Sequence, residues 1–181
     1  MRICLALLAL VAMPAFGEPA PRRASNEYSL NLLVVNITAA IGAFGFGYLQ
    51  DALGHVRAVA LTLVGWIVMV LIAGFSHTAV SFWIAANLAG LCMGSSQAAG
   101  RALVGYLAPP ARLAEFFGLW GLAVKAASIF GPLTYGAVTL IFAGNHRLGI
   151  FATGVYFVIG LVLLRKIDVD RGRAAALADQ R

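Results

Sequence analysis

The sequence predicts an all-α polytopic membrane protein of five to six transmembrane helices, and three observations carry that prediction. Of its 181 residues, 61% are hydrophobic and only 11% charged, with a mean hydropathy of +0.90. A soluble domain of this length has no use for such a surplus. Apolar runs approaching the ~20 residues that span ~30 Å of hydrocarbon recur along the whole chain. These runs lack the strict alternation of a barrel strand, so their backbone polar groups can be satisfied in lipid only as helices.

Five runs are clear: Leu30 to Leu49, Val59 to Phe75, Val80 to Gln97, Glu115 to Phe142 and Leu148 to Leu164. Connections such as Ser76-His77-Thr78 and Ala143-Gly144-Asn145-His146 are too short to join anything but antiparallel neighbours. A sixth run, Ile3 to Gly17, has Pro14 inside it and reaches only ~22 Å as a helix. It admits three readings: a short retained first helix, a start inside a longer coding sequence, or a secretory signal peptide ending at Ala15-Phe16-Gly17 before Glu18. The organisation expected is a short apolar segment with a polar linker over 1–26, a helical bundle over 27–167 and a cytoplasmic tail over 168–181.

Lysine and arginine in short loops stay on the cytoplasmic side. With the tail inside, Arg2, Arg57, Arg101, Arg112, Arg165, Lys166, Arg171, Arg173 and Arg181 lie inside, against Arg22, Arg23 and Arg147 outside. The net charge of +6 is therefore a topology signal, with contact to acidic lipid headgroups as its companion, and not a nucleic-acid surface. Cys4 and Cys92 lie in apolar runs where a thiol behaves as a small hydrophobe, and the histidines have no metal-ligand spacing. No cofactor or metal is expected. A membrane enzyme is disfavoured, because no clustered acids and no nucleophile beside a base lie at the interface.

Two blocks carry more specific information. Gly47-Tyr48-Leu49-Gln50-Asp51-Ala52-Leu53-Gly54-His55-Val56-Arg57 is a polar turn between two apolar runs. Gly47 is expected to let helices approach, Gly54 to permit the tight turn, and Asp51 to cap the following helix or pair with a neighbouring base. The second block runs from Gly90-Leu91-Cys92-Met93-Gly94-Ser95-Ser96-Gln97-Ala98-Ala99-Gly100-Arg101 through Pro109-Pro110 to Ala114-Glu115-Phe116-Phe117-Gly118. Lys125, Gly131-Pro132, Arg147-Leu148-Gly149 and the exit Asp168-Val169-Asp170-Arg171-Gly172-Arg173 follow.

The first block resembles the loop that major facilitator transporters carry after the second helix of each half. It departs from that pattern at Ala52 and Val56, where bases are usual, leaving Arg57 alone. The succession over residues 27 to 173 looks like the C-terminal half of the bacterial major facilitator family related to the vacuolar amino-acid effluxers of autophagy. Such a half is built from two inverted three-helix repeats, and solute binds near the midplane between two halves. The resemblance implies a bacterial inner-membrane protein forming one wall of a cavity for a small organic solute, with amino acids the first guess. It would work with a missing N-terminal half or a second copy of itself. The competing expectation is a truncated, non-transporting remnant or an assembly partner.

Lys125 is the leading pathway candidate. About ten positions into its run it lies ~15 Å deep, where a charge must face a cavity, find a partner, lose its proton or snorkel outward. No acid lies in the middle of any span, so a proton-coupling site belongs elsewhere or the intact protein is a facilitator. Asn36, Asn87, Ser95, Ser96 and Gln97 either line the pathway or form interhelical hydrogen bonds. Trp120 either walls a cavity or anchors at the interface. Small residues four apart, Ala39, Ala43 and Gly47 on one helix and Ala86, Gly90, Gly94 and Ala98 on another, are expected to form packing seams. Gly131-Pro132 is expected to kink its helix. Glu115 and Arg101 form with Arg112 a small mixed-charge patch that admits a pairing with Asp51 or Arg57, and Gly47, Asp51, Gly54, Arg57, Arg101 and Glu115 are expected to act as a cytoplasmic gate.

Overall fold

The computed structural model describes residues 22–178, and the expected first helix over Ile3 to Gly17 lies outside them. Helices α1 (Arg22–Leu53), α2 (His55–Phe75), α3 (Ala79–Leu107), α4 (Leu113–Ile141) and α5 (His146–Leu164) are followed by a short tail helix α6 (Val169–Ala178). A single 3₁₀ turn, Pro110–Arg112, joins α3 to α4. The five long helices are each long and apolar enough to cross a membrane, and no strand occurs among the described residues.

The helices outrun the expected spans. α3 continues ten residues past Gln97 to Leu107, because Ala98, Ala99, Ala102, Leu103 and Leu107 continue a good helix-forming sequence until Pro109-Pro110 forbids it. Ser95, Ser96, Gln97 and Arg101 therefore lie within a helix and not at its end. The tail carries α6, whose N-terminus Asp168 caps by accepting from the Arg171 N–H through Oδ1 at 3.0 Å. α5 starts at His146, one residue after Asn145, whose side chain accepts from the Arg147 and Leu148 N–H groups.

The block from Gly47 to Arg57 is not a hairpin loop. α1 runs unbroken through Asp51 to Leu53, and α2 begins at His55. The entire reversal rests on Gly54 at φ +86°, a conformation open to glycine and rarely to other residues. Its N–H donates to the Gln50 carbonyl at 2.9 Å and its carbonyl accepts from Ala58 at 3.1 Å, so backbone bonding passes through the turn. At the other end of the bundle Ala143 and Gly144, at φ 51° and 83°, turn the chain from α4 into α5.

Burial is inverted relative to a water-soluble protein. The buried positions are mostly small, among them Ala58, Ala85, Ala89, Cys92 and Ala99, while Phe44 and Leu140 are 77% and 84% exposed. Lipid tails are as apolar as leucine, so helices gain by close backbone approach and not by hiding large side chains. The main seam joins α1 to α3. A Cβ on Gly94 would collide with the Ala39 carbonyl, one on Gly42 with the Leu91 carbonyl, and one on Gly90 would lie 2.6 Å from the Val35 carbonyl oxygen. The two helices run parallel, since Val35 meets Gly90 and Ala39 meets Gly94. Ala39, Gly90 and Gly94 were expected in this seam; Gly42 was not. Gly47, expected to let helices approach, has open space around it and takes no part.

On its other side α3 packs against α2, and α2 packs antiparallel on α5. Phe75 packs tilted against Phe151, Val70 lies against Gly154, Trp66 stacks on Phe157 at 5.1 Å between ring centroids, and Leu63 reaches Gly160. α4 joins α5 through Tyr135 and Thr139 against Gly149, and touches α3 only lightly. The span containing α4 has no buried residue in its most apolar window.

The seam generates a pair of opposite expectations. Gly94→Ala should destabilise the bundle by about 1–3 kcal/mol, because the neighbour its methyl meets is backbone and cannot yield cheaply. Gly47→Ala should be neutral or stabilise by up to about 1 kcal/mol through helix propensity alone. Unfolding of the purified protein in detergent or SDS checks both signs.

Candidate functional site

Lys125 sits near the middle of α4, roughly 18 Å along the axis from Leu113 at the usual helical rise. Its side chain is exposed and forms no ion pair among the described residues. The Ser128 hydroxyl donates to its backbone carbonyl at 2.7 Å. α4 continues without interruption through Gly131-Pro132. Pro132 has no N–H to give the Ser128 carbonyl, so the ladder loses one bond just past Lys125.

Nearer the start of α4, Trp120 lies against α3. Its indole carries the Arg101 guanidinium 5.3 Å from the ring centroid, within cation–π range. Its Nε1 lies 3.5 Å from where a Cβ on Gly100 would stand. Trp120 also lines an open apolar cleft of about 350 Å³ between α3 and α4, together with Leu103, Val104, Leu107, Phe116 and Leu119.

Asn36 and Asn87 behave differently from the interhelical bonds weighed for them. Each amide donates back along its own helix, Asn36 to Leu32 O at 2.7 Å and Asn87 to Trp83 O at 2.9 Å. Ser95 and Ser96 do the same toward Cys92 O and Met93 O at 3.1 and 3.2 Å. Local bonding satisfies the donor in an apolar surrounding without needing a partner helix. Gln97 is exposed. Asn36 is exposed on α1 and Asn87 is partly so on α3, and both retain an amide oxygen for other contacts.

The charged patch does not close on itself. Glu115 pairs with Arg112, through Oε2 to the guanidinium at 2.8 Å, and not with Asp51 or Arg57. These partners lie three residues apart across the 3₁₀ turn into α4, so sequence neighbourhood decides the pairing. Asp51 and Arg57 are exposed and form no ion pair among the described residues. Asp51 does not cap α2, since Gly54 is the N-cap and no side chain bonds there. Polar groups that the sequence did not single out cluster instead at Gln50, His55 and Tyr106 on the same end. At the opposite end Arg147 donates to Ser76 O and to His77 Nδ1 at 3.2 and 3.1 Å, and Tyr135 meets His146 Nδ1 at 2.9 Å. Their signal in the sequence is faint: histidines and amides at helix ends, with no fixed spacing.

This geometry, a small-residue helical bundle with one lightly packed helix carrying a mid-span lysine, accompanies a direct sequence relationship. The profile of the family described as "Vacuole effluxer Atg22 like" matches residues 17–177. The chain belongs to that family. Among the relatives of this effluxer-like chain, the "Uncharacterized MFS-type transporter YxiO" of Bacillus subtilis is 31% identical over 140 residues, which is 77% of this chain and 32% of the relative. "Autophagy-related protein 22-1" of Penicillium rubens is 37% identical over 91 residues, 50% of this chain and 15% of its own length. "Autophagy-related protein 22" of Candida glabrata is 28% identical over 167 residues, 83% of this chain and 30% of the relative. The effluxer-like chain thus spans a third or less of these relatives. No solved structure matches it significantly. Five apolar helices and a transporter family together make it an integral membrane protein.

Because both side chains of the Arg112–Glu115 pair are more than half exposed, at 56% and 61%, Glu115→Gln should change stability by less than about 1 kcal/mol. Thermal unfolding in detergent checks this. A larger loss would show that the pair holds the α3–α4 corner together.

Proposed function

We propose that this chain forms one wall of the solute cavity of a secondary transporter, moving a small organic solute by alternating access as the C-terminal half of a major facilitator fold. The observation that carries this reading is Lys125: a cation in the middle of an apolar helix, exposed on the helix least packed within the bundle. A charge so placed is costly against lipid and acquires a use against a water-filled cavity. It is suited to a carboxylate on the solute, which makes amino acids the first class to test. Asn36 on α1, Asn87, Ser96 and Gln97 on α3, and Trp120 on α4 are assigned to the same pathway. The Gly131-Pro132 step beyond Lys125 is the point at which α4 bends most easily.

Within this proposal the end bearing Gly54, Arg101, Arg112 and α6 faces the cytoplasm of a bacterial cell, an orientation that the distribution of bases supports. Gly47, Asp51, Gly54, Arg57, Arg101 and Glu115 then form the inside gate. Asp51 and Arg57 act there on the partner half and not on each other. That partner is an N-terminal half or a second copy of this chain.

Counterflow of labelled amino acids in liposomes, with the chain alone and with an N-terminal half from the same genomic neighbourhood, tests the reading. Lys125→Ala should lower flux about tenfold or more, the factor equivalent to losing one hydrogen bond to a charged group. Lys125→Arg should retain part of it, with protein levels unchanged. Flux in neither preparation would leave a non-transporting membrane component as the reading, and full activity of Lys125→Ala would remove the lysine from the pathway.

A further inference from the structure

Gln50 is 4% exposed at the end of α1, and its amide nitrogen has two acceptors. The Ala99 carbonyl of α3 lies 3.3 Å away and His55 Nδ1 of α2 lies 2.6 Å away. A primary amide has two N–H bonds, one for each. Turning the amide over would set its oxygen against the Ala99 carbonyl, acceptor against acceptor, so the orientation is fixed by the network. His55 Nδ1 must therefore present a lone pair, which makes the ring neutral with its proton on Nε2.

The His55 ring lies on Tyr106 of α3, centroids 4.5 Å apart. The same Tyr106 ring carries the Arg173 guanidinium of α6 at 4.7 Å. Arg173 also donates through an Nη to the Tyr106 carbonyl at 2.6 Å, and Gly172 closes against Leu107. One tyrosine thus joins the α1–α2 turn to the tail helix.

We propose that Gln50, His55, Tyr106 and Arg173 form a proton-sensitive latch, which docks α6 on α3 while His55 is neutral and releases it when His55 takes a proton. Protonation occupies the Nδ1 lone pair, so the Gln50 N–H to His55 bond is lost and donor faces donor. The imidazolium then shares the Tyr106 ring with a second cation, Arg173. The other charged groups at this end are Asp51 of α1, Arg57 on α2 itself, Arg101 of α3, which lies over Trp120, Arg112 and Glu115, paired with each other at the start of α4, Arg165 and Lys166 after α5, and Asp168, Asp170 and Arg171 at the start of α6. Among the described residues no carboxylate forms an ion pair with His55 or Arg173, so no ion pair offsets the new charge. An imidazole is the side chain that gains its proton between roughly pH 5 and 8, whereas unperturbed carboxylates titrate below that window. The latch does not depend on which solute the intact protein moves, because its readout is tail docking.

The test is amide hydrogen exchange of the full chain in lipid nanodiscs at about pH 8 and about pH 5.5, the span in which an imidazole titrates, corrected for intrinsic exchange rates. In the wild type, residues 169–178 should exchange about fivefold faster at the lower pH, the factor for losing one ordinary hydrogen bond. His55→Asn, whose amide oxygen stands near the position of Nδ1 and takes no proton, should abolish the pH response. Arg173→Ala should exchange fast at both pH values. Protection of the α1–α3 seam reports that each variant is folded. As a second readout independent of any variant, ¹⁵N shifts of His55 at the higher pH should show the Nε2–H tautomer. An unchanged tail across pH in the wild type, a full response in folded His55→Asn, or an Nδ1–H tautomer would each overturn the latch.

Discussion

The contact of α1 with α3, backbone against backbone at Ala39 and Gly94, is the constraint on which the remainder of the bundle depends. In water, helices are driven together by the apolar area they hide; in lipid that term vanishes and close dispersion contact must replace it. Gly42, Gly90 and Gly94 permit an approach that any side chain would block. Once the two helices lie this close, the hydroxyls in their vicinity have no room for a partner helix. Thr38 and Ser95 bond back to Val35 O and Cys92 O, and on the adjoining α2 Thr62, 1% exposed, bonds to Val59 O. The interior is thereby satisfied locally and remains apolar in its contacts.

From that pair outward the packing loosens in steps. α2 lies on α3 and takes α5 through an antiparallel zipper of aromatic rings against small residues. α4 comes last, fixed to α5 near Tyr135 and His146 but only grazing α3 around Trp120. The span with no buried residue in its most apolar window is also the one that carries the mid-span cation and the proline. In a solvent that penalises charge, those features belong together: a lysine can be kept where no side chain of its own chain crowds it and where another surface completes the site.

Much of this was legible in sequence, for identifiable reasons. Span number and order follow from hydropathy, because lipid permits only one secondary structure to runs of that length. Gly54 was legible since few other residues adopt its backbone angle, and Gly90 and Gly94 because small residues four apart share a face. The same spacing misled at Gly47, which has open space where a Cβ would stand although α3 is still in reach three residues on, where Gln50 meets the Ala99 carbonyl. Gly42 escaped because it lies off that ladder, three residues from Ala39. The pairing of Glu115 with Arg112 required knowing that a 3₁₀ turn, not a loose loop, joins α3 to α4. The Gln50–His55 bond arises from a reversal so tight that residues five apart on two helices face each other.

That reversal also explains how polar contacts are distributed through the molecule. The histidines among the described residues sit at helix ends, and each ring nitrogen facing a partner is Nδ1: His55 toward Gln50, His77 toward Arg147, His146 toward Tyr135. The long-range side-chain bonds of Gln50, Arg147 and Arg173 likewise fall at the two ends. Between them, the hydroxyls and amides of Asn36, Thr38, Thr62, Asn87, Ser95 and Ser96 bond within their own helices. A bundle organised in this way has its adjustable, charge-bearing contacts at the ends and its fixed contacts, backbone against backbone, in the middle, apart from the Thr134–Tyr156 hydroxyl pair that joins α4 to α5 at 2.6 Å. Under the latch proposed above, a change of charge at an end re-sets how the tail docks without disturbing the α1–α3 seam, because the contacts of α4 and α6 with α3 are sparse beside those of α1.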